Sequence, residues 1–132
     1  MTIGLDTNIL VRYITNDDKE QADKVEKLFK AAGKEVTFSI NHVVIAELDW
    51  VLTHVYKYPQ KAFLKVIDQL FETKNIVFSS PVLVKEACKL YINGKADFSD
   101  CYLGVMNEAN NCQTTYTFDK KAARLSCFTR LD

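Results

Sequence analysis

Residues 1–8 read Met1-Thr2-Ile3-Gly4-Leu5-Asp6-Thr7-Asn8, and the predicted fold is organised around this stretch. β-Branched and aliphatic residues lead up to Asp6, which predicts a short buried strand over residues 2–5 that ends at an acid. The apolar run after Asn8 predicts a helix. Ligands of open α/β sheets bind at the carboxyl ends of the strands, so Asp6 is placed for chemistry rather than for packing.

Outward from this stretch, helical and strand patterns alternate. Further strands are predicted over residues 35–40, 76–78 and 113–118. Helices are predicted over residues 7–14, 42–56, 81–93 and 120–125, and from a cap at Asp17 or Asp18 to about residue 32. Two more are predicted without fixed bounds: one after Tyr58-Pro59 that carries Phe63, Val66, Ile67, Leu70 and Phe71, and one capped by Ser99 that carries Tyr102, Val105, Met106 and Ala109. Asn41 and Ser80 are the other predicted caps. Such alternation assembles as right-handed βαβ units around a parallel sheet. We therefore expect a single three-layer α/β/α domain over residues 1–132, with a central parallel sheet of four to five strands.

Composition restricts the class of protein. Of the 132 residues, 48% are apolar and 26% are charged, which is typical of a packed globular core. The 17 basic and 17 acidic residues cancel, so binding to nucleic acid would need a local basic patch or a metal ion. The cysteines show no zinc-ligand spacing and are expected to be small buried thiols of a reducing cytoplasm. No signal peptide is recognised and no apolar run approaches the ~20 residues of a membrane span, so a soluble cytoplasmic protein that makes no membrane contact is expected.

Several acids lie at positions where packing of a hydrophobic core does not explain them. Asp6 and Asp119 each follow a predicted buried strand directly and should lie at the same edge of the sheet. Glu47 lies in a helix that is apolar nearly all round, so it is expected to be buried or to line a cleft. Asp49 in the same helix is interpreted as a solvated or secondary acid. Asp100 falls in the first turn of a helix that Ser99 should cap, with Asp97 in the preceding loop, where helix capping is its alternative role.

The four acids Asp6, Glu47, Asp100 and Asp119 would repel one another if they converged. Each pair ~6 Å apart would cost roughly 3 kcal/mol at an effective dielectric constant near 20, so the cluster must hold protons or a divalent cation. Oxygen ligands favour Mg²⁺ or Mn²⁺ over zinc. An acid cluster with such ions is suited to phosphodiester hydrolysis and needs no histidine base.

Other polar and aromatic residues have less specific interpretations. Thr7, Asn8 and Thr117 are candidates for orienting the neighbouring acids, with ordinary capping as the alternative. His42 and His54 are expected to be structural or surface groups. Trp50 is expected to pack in the core rather than to stack on a base.

Four blocks in this order resemble the PIN domain, in the form found in VapC-type toxins: Ile3–Asn8, the mid-chain Glu47, Asp97-Phe98-Ser99-Asp100 and Thr117-Phe118-Asp119. The resemblance implies a Mg²⁺- or Mn²⁺-dependent ribonuclease with Asp6, Glu47, Asp100 and Asp119 as its catalytic acids and metal ligands, and Asn8 and Thr117 as polar helpers. It also implies an RNA substrate, a homodimer and a small antitoxin partner. The chain has Asp100-Cys101-Tyr102-Leu103 where the family often has Asp-Ala-Leu-Ile, which leaves Asp97 as a competing metal ligand.

Other families fit less well. A haloacid-dehalogenase phosphatase would need an aspartate at the position of Asn8, and a dinucleotide-binding fold would need a glycine-rich first turn. The remaining alternative is a PIN-like module that binds RNA or protein without catalysis. The first helix carries Leu10, Val11, Tyr13 and Ile14, more apolar surface than its own core packing requires, which predicts a dimer or antitoxin surface.

Overall fold

The computed structural model describes all residues from Met1 to Asp132. The strands are β1 (Thr2–Gly4), β2 (Thr37–Ile40), β3 (Ile76–Phe78), β4 (Thr115–Thr117) and β5 (Phe128–Arg130). The helices are α1 (Thr7–Thr15), α2 (Lys19–Ala31), α3 (His42–Trp50), α4 (Gln60–Glu72), α5 (Pro81–Asn93) and α6 (Phe98–Ala109). α3 continues as a π-helix over Val51–Val55, and a 3₁₀-helix covers Ala122–Arg124. The predicted α/β class is confirmed.

The chain forms two compact units, Met1–Ser79 and Ser80–Asp132. The first contains a parallel sheet in the order β1-β2-β3, with Ile3 opposite Phe38 and Ser39 opposite Val77. The second contains the parallel pair β4-β5, with Tyr116 opposite Thr129. The expected four to five strands are therefore present as three strands in one sheet and two in another. β5 was not predicted, because its three residues are too short to show a strand period.

The core of the first unit is built from the apolar stripes of α1, α3 and α4 and from the inward side chains of β2. Its fully buried members include Leu10, Phe38, Ile40, Ile45, Leu48, Leu52, Phe63 and Ile67. The expectation that β1 is buried is wrong: Thr2, Ile3 and Gly4 are exposed, because β1 pairs with β2 alone and lies at the sheet edge. Leu28 on α2 is also exposed.

Local capping chemistry explains where several helices begin. Asp18 accepts a hydrogen bond from the Gln21 N–H at 3.1 Å, and Asn41 accepts one from the Val44 N–H at 3.0 Å, as expected of N-cap residues. Pro81 occupies the first turn of α5, where its missing N–H costs nothing. These helix starts confirm the sequence predictions.

In the second unit, α5 and α6 pack together and α6 lies close to the segment that enters β5. Gly104 makes this approach possible, because a Cβ atom there would lie 2.5 Å from Cys127 Sγ and 2.7 Å from Phe128 Cε2.

Cys101 and Cys127 are buried, whereas Cys112 is exposed, so the expectation of buried thiols is wrong for Cys112. Burial raises the pKa of the Cys127 thiol and raises the pKa of Tyr102 to about 12. No helix in the structure has both the length and the apolar character to span a bilayer.

Candidate active site

Asp6 lies where β1 gives way to α1. It is the N-cap residue of α1, with extended backbone angles (φ −80°, ψ 156°), and its Oδ1 accepts a hydrogen bond from the Thr7 N–H at 2.8 Å. The side chain is solvent-exposed, as the sequence pattern requires of an acid at the carboxyl end of a strand. The N-terminal end of the helix dipole favours a carboxylate at this point.

Thr7 connects Asp6 to Glu47. Thr7 is 5% exposed, and its Oγ1 donates a hydrogen bond to Oε1 of Glu47 at 3.0 Å. One residue therefore contacts two acids, through its backbone N–H on one side and its hydroxyl on the other. Each of these bonds uses a single carboxylate oxygen, which leaves the second oxygen of Asp6 and of Glu47 to face water or a cation.

The structure corrects the expected burial of both acids on α3: Glu47 is not buried, which leaves a place along a cleft as its other expected position, and the interpretation of Asp49 as a solvated acid is wrong. Glu47 is exposed, and Asp49 is the buried acid, at 3% exposure. Asp49 shares the core-facing stripe of Ile45, Leu48 and Leu52, with spacings of three and four residues. This spacing is visible in the sequence, but the apolar residues on every side of α3 hid which stripe faces the core.

Trp50 lies on the exposed side of the same helical stretch. It is 57% exposed and stacks on His54, with ring centroids 5.8 Å apart and ring planes 13° apart. The expectation of core packing for Trp50 is wrong, because it lies one turn after the exposed Glu47 and shares its side of the helix. The exposed His54 matches its surface interpretation; its Nδ1 lies 3.0 Å from Thr53 Oγ1.

In the second unit, Asp97 and Asp100 lie at the start of α6. Asp97 is the N-cap residue, with extended angles (φ −65°, ψ 151°), although its side chain makes no capping hydrogen bond. The prediction that Ser99 caps this helix is wrong. The fully buried Phe98 is already helical, so Ser99 lies within the first turn, followed by the half-buried Asp100.

Asp119 lies two residues beyond β4 in a hydrogen-bonded turn. Its Oδ1 accepts from the Ala122 N–H at 2.9 Å, and its own N–H donates to Thr117 Oγ1 at 3.0 Å. Thr117 therefore holds the backbone that carries Asp119. The strand is only partly covered, so the expectation of a buried strand before this acid is wrong. Asn8, the remaining predicted polar helper, is exposed and lines a cavity of about 370 Å³ beside α2.

The donor chemistry fits Mg²⁺ or Mn²⁺. Neither unit by itself gathers three His, Cys, Asp or Glu side chains closely enough to hold a metal ion. Mg²⁺ commonly takes only one or two protein carboxylates and completes its octahedron with water and substrate phosphate. Asp6 and Glu47, joined through Thr7, supply two carboxylates of this kind, whereas structural zinc sites use nitrogen and sulfur ligands.

Comparisons with known proteins identify the family of the chain. Residues 3–126 match the family model described as PIN domain. The chain is 23% identical over 122 residues to the VapC ribonuclease of Aquifex aeolicus (strain VF5). The aligned region covers 92% of this chain and 90% of that protein. A search of solved structures returns VapBC2 from Rickettsia felis bound to a DNA fragment from their promoter, with 22% identity, a TM-score of 0.37, and coverage of 99% of this chain and 98% of that chain. The family model spans nearly the whole sequence, and this chain belongs to the PIN domain family.

Proposed function

We propose that this protein is a Mg²⁺- or Mn²⁺-dependent endoribonuclease and the toxin of a type II toxin-antitoxin pair. Membership of the PIN domain family and the likeness to a protein named VapC ribonuclease support this proposal. The observation that carries it is the hydrogen-bonded arrangement Asp6–Thr7–Glu47. Two exposed carboxylates joined through one residue are suited to a cation and have no role in packing.

The proposed catalytic residues are Asp6, Glu47, Asp100 and Asp119, with Asp97 as a further metal ligand. Thr7, Asn8 and Thr117 are proposed as positioning residues. The hydrogen bond from Thr7 to Glu47 supports the first of these roles, because groups that orient a metal-binding carboxylate affect metal affinity strongly. Thr117 accepts from the backbone N–H of Asp119 and would act by fixing the backbone that carries this acid. For Asn8 the support is its position next to Thr7 at the carboxyl end of β1.

The reaction adds one water molecule across a phosphodiester bond. The water oxygen bonds to phosphorus, the bond from phosphorus to one ester oxygen breaks, and a proton reaches the leaving oxygen. The divalent ion, when bound, offsets phosphate charge and lowers the pKa of its water ligand. The free oxygens of Asp6 and Glu47 would orient the attacking water and accept its proton, so no histidine is needed as a base.

An antitoxin and a second copy of the chain are the proposed protein partners. The surface expected from the first helix is smaller than predicted: Leu10 and Val11 belong to the core, whereas Tyr13 is 40% exposed and Ile14 is half-buried. These two residues line a cavity of about 540 Å³ together with Val66 and Leu70 from α4. Gln69, Glu72 and Thr73 complete the lining, so the surface that we propose for a partner is mixed polar and apolar. Light scattering and co-purification with the product of an adjacent small gene would test the two partners separately.

RNA cleavage assays test the enzymatic proposal. We expect cleavage of RNA with Mg²⁺ or Mn²⁺, none in EDTA, and loss of most activity in Asp6→Asn. Asp23→Asn is the matched control, because Asp23 is an exposed acid on α2. Full activity in EDTA would contradict the metal requirement. RNA binding without cleavage under all conditions would favour the alternative, a PIN domain that acts as a non-catalytic binding module. We propose that the enzyme acts in the cytoplasm, where its proposed substrate, cellular RNA, is available.

A further inference from the structure

The Ser80–Asp132 unit contains a cavity of about 300 Å³ whose lining includes three cationic side chains. The lining residues are Leu90, Asn93, Gly94, Lys95, Lys121, Arg124 and Leu125. Three of the seven are cationic and none is acidic. Because the net charge of the whole chain is zero, this cavity is a local concentration of positive charge rather than part of a generally basic surface.

These three cations are not used for pairing within the protein. The salt bridges of the chain involve Arg12, Lys24, Lys30 and Arg130 instead. One ordinary use of a cation is present, because α5 ends at Asn93 and Lys95 follows two residues later. The end of a helix carries only about half an elementary negative charge, however, which is much less than three positive charges. The three cations of the lining therefore exceed what the helix end can balance, and the cavity offers positive charge to an anion.

Backbone connections join the cations to the candidate acids of the same unit. Lys95 precedes the N-cap residue Asp97 by two positions, and Lys121 follows Asp119 by two positions. The hydrogen bond from the Ala122 N–H to Asp119 Oδ1, 2.9 Å long, fixes the start of the 3₁₀-helix that carries Arg124. One turn thus holds both Asp119 and the 3₁₀-helix that carries Arg124 of the cavity.

We propose that Lys95, Lys121 and Arg124 bind the phosphodiester backbone of the RNA substrate, an inference that rests on the proposed function. A guanidinium can form two parallel hydrogen bonds with phosphate oxygens, and lysines add point charges. Contacts of this kind set the position of a nucleic acid and supply affinity, but they do not read its sequence. The cavity would hold the strand through its backbone, independently of the bases.

The salt dependence of RNA binding tests this assignment. Fluorescence anisotropy with a short fluorescein-labelled single-stranded RNA, measured in EDTA over a series of KCl concentrations, reports binding without cleavage. Each phosphate contact contributes about 0.7 to the slope of log K against log salt for a single strand. We expect Lys95→Gln, Lys121→Gln and Arg124→Gln each to reduce the slope by about 0.7, and the triple variant by about 2. The control Lys27→Gln removes an exposed lysine from α2 and should keep the wild-type slope.

Parallel cleavage assays with Mg²⁺ separate this inference from the proposed function. If the wild type cleaves RNA and the triple variant binds it with an unchanged slope, the cavity assignment is overturned and the nuclease stands. If the slope falls as expected while no protein cleaves RNA, the cavity assignment stands and the nuclease fails. If wild-type protein does not bind RNA, both fail. A glutamate-rich peptide that binds the wild type but not the triple variant, with RNA slopes unchanged, would assign the cavity to an acidic protein segment instead and overturn the inference.

Discussion

The hydroxyl of Thr7 donates a hydrogen bond to Oε1 of Glu47 at 3.0 Å, although the two residues lie 40 positions apart in the chain. The packing of α1 against α3 brings them together. The backbone N–H of Thr7 contacts Asp6 at the same time. A buried threonine thus sets the positions of two exposed acids, and its hydroxyl is the group to test first.

Thr7→Val removes this hydroxyl and keeps the shape of the side chain. We expect the affinity for Mn²⁺ to fall by about 10- to 100-fold, because Glu47 loses the group that orients it. Thr7→Ser keeps the hydroxyl and should retain most of the affinity. Mn²⁺ titration by calorimetry measures the effect without depending on catalysis. Equal affinities in the valine and serine variants would show that the hydrogen bond has no role in the site.

Asp49 and Glu47 should separate stability from activity. Asp49→Ala is expected to lower the free energy of unfolding by about 1–3 kcal/mol. Asp49 is only 3% exposed, so removing its carboxylate leaves the polar groups around it without a partner. Glu47→Gln keeps an oxygen that can accept from Thr7 and should change stability by less than about 0.5 kcal/mol while losing most cleavage. Urea denaturation and RNA cleavage measure the two effects. A stable, inactive Asp49→Ala together with an active Glu47→Gln would reverse the assignment.

Asp97 and Asp100 should differ in their effect on catalysis. Asp100 lies in the first turn of α6, whereas Asp97 is an N-cap residue without a side-chain capping bond. Asp100→Asn is expected to lose most activity, and Asp97→Asn to raise the Mg²⁺ requirement while measurable cleavage remains. Because Asp97 makes no capping bond, its replacement should leave thermal stability nearly unchanged. Activity measured against Mg²⁺ concentration gives the ranking. The opposite order would assign the catalytic role proposed for Asp100 to Asp97 instead.

The pH dependence of stability should include a contribution from Asp17. The hydroxyl of Tyr56 donates to Oδ2 of Asp17 and is the main cause that lowers the pKa of this carboxyl, with smaller contributions from Thr15 and Arg12. A lowered pKa in the folded state means that the stabilisation is complete above the ordinary value of 3.8 and is lost as the pH falls through the lower folded value. Tyr56→Phe should raise the pKa of Asp17.

Carboxyl titration by NMR measures that pKa directly. The stability difference between wild type and Tyr56→Phe should also narrow as the solution becomes more acidic than the ordinary pKa. Tyr116→Phe is a suitable control, because Tyr116 is exposed and lies on β4. An unchanged Asp17 pKa in Tyr56→Phe would rule out the tyrosine hydroxyl as its cause.

Features that depend on neighbouring residues could be predicted from the residue pattern alone. Asp18, Asn41 and Pro81 begin their helices through hydrogen bonds or backbone restrictions that span at most a few residues. The acid directly after the first strand, the acid within α3 and the two later acidic blocks led to the PIN domain, which the family match confirms. These features are local in sequence, so a pattern of residues is sufficient to predict them.

Which residues face the core depends on the packing of the tertiary structure. α3 is apolar nearly all round, so its sequence is compatible with several buried stripes; its packing in the fold buries Asp49 and exposes Glu47 and Trp50. The exposure of β1 likewise follows from its place at the edge of the sheet, which depends on pairing with residues more than 30 positions away. Burial is a property of the surfaces that meet in the fold. The bond from Thr7 to Glu47 exists for the same reason, since it needs two helices brought together by packing.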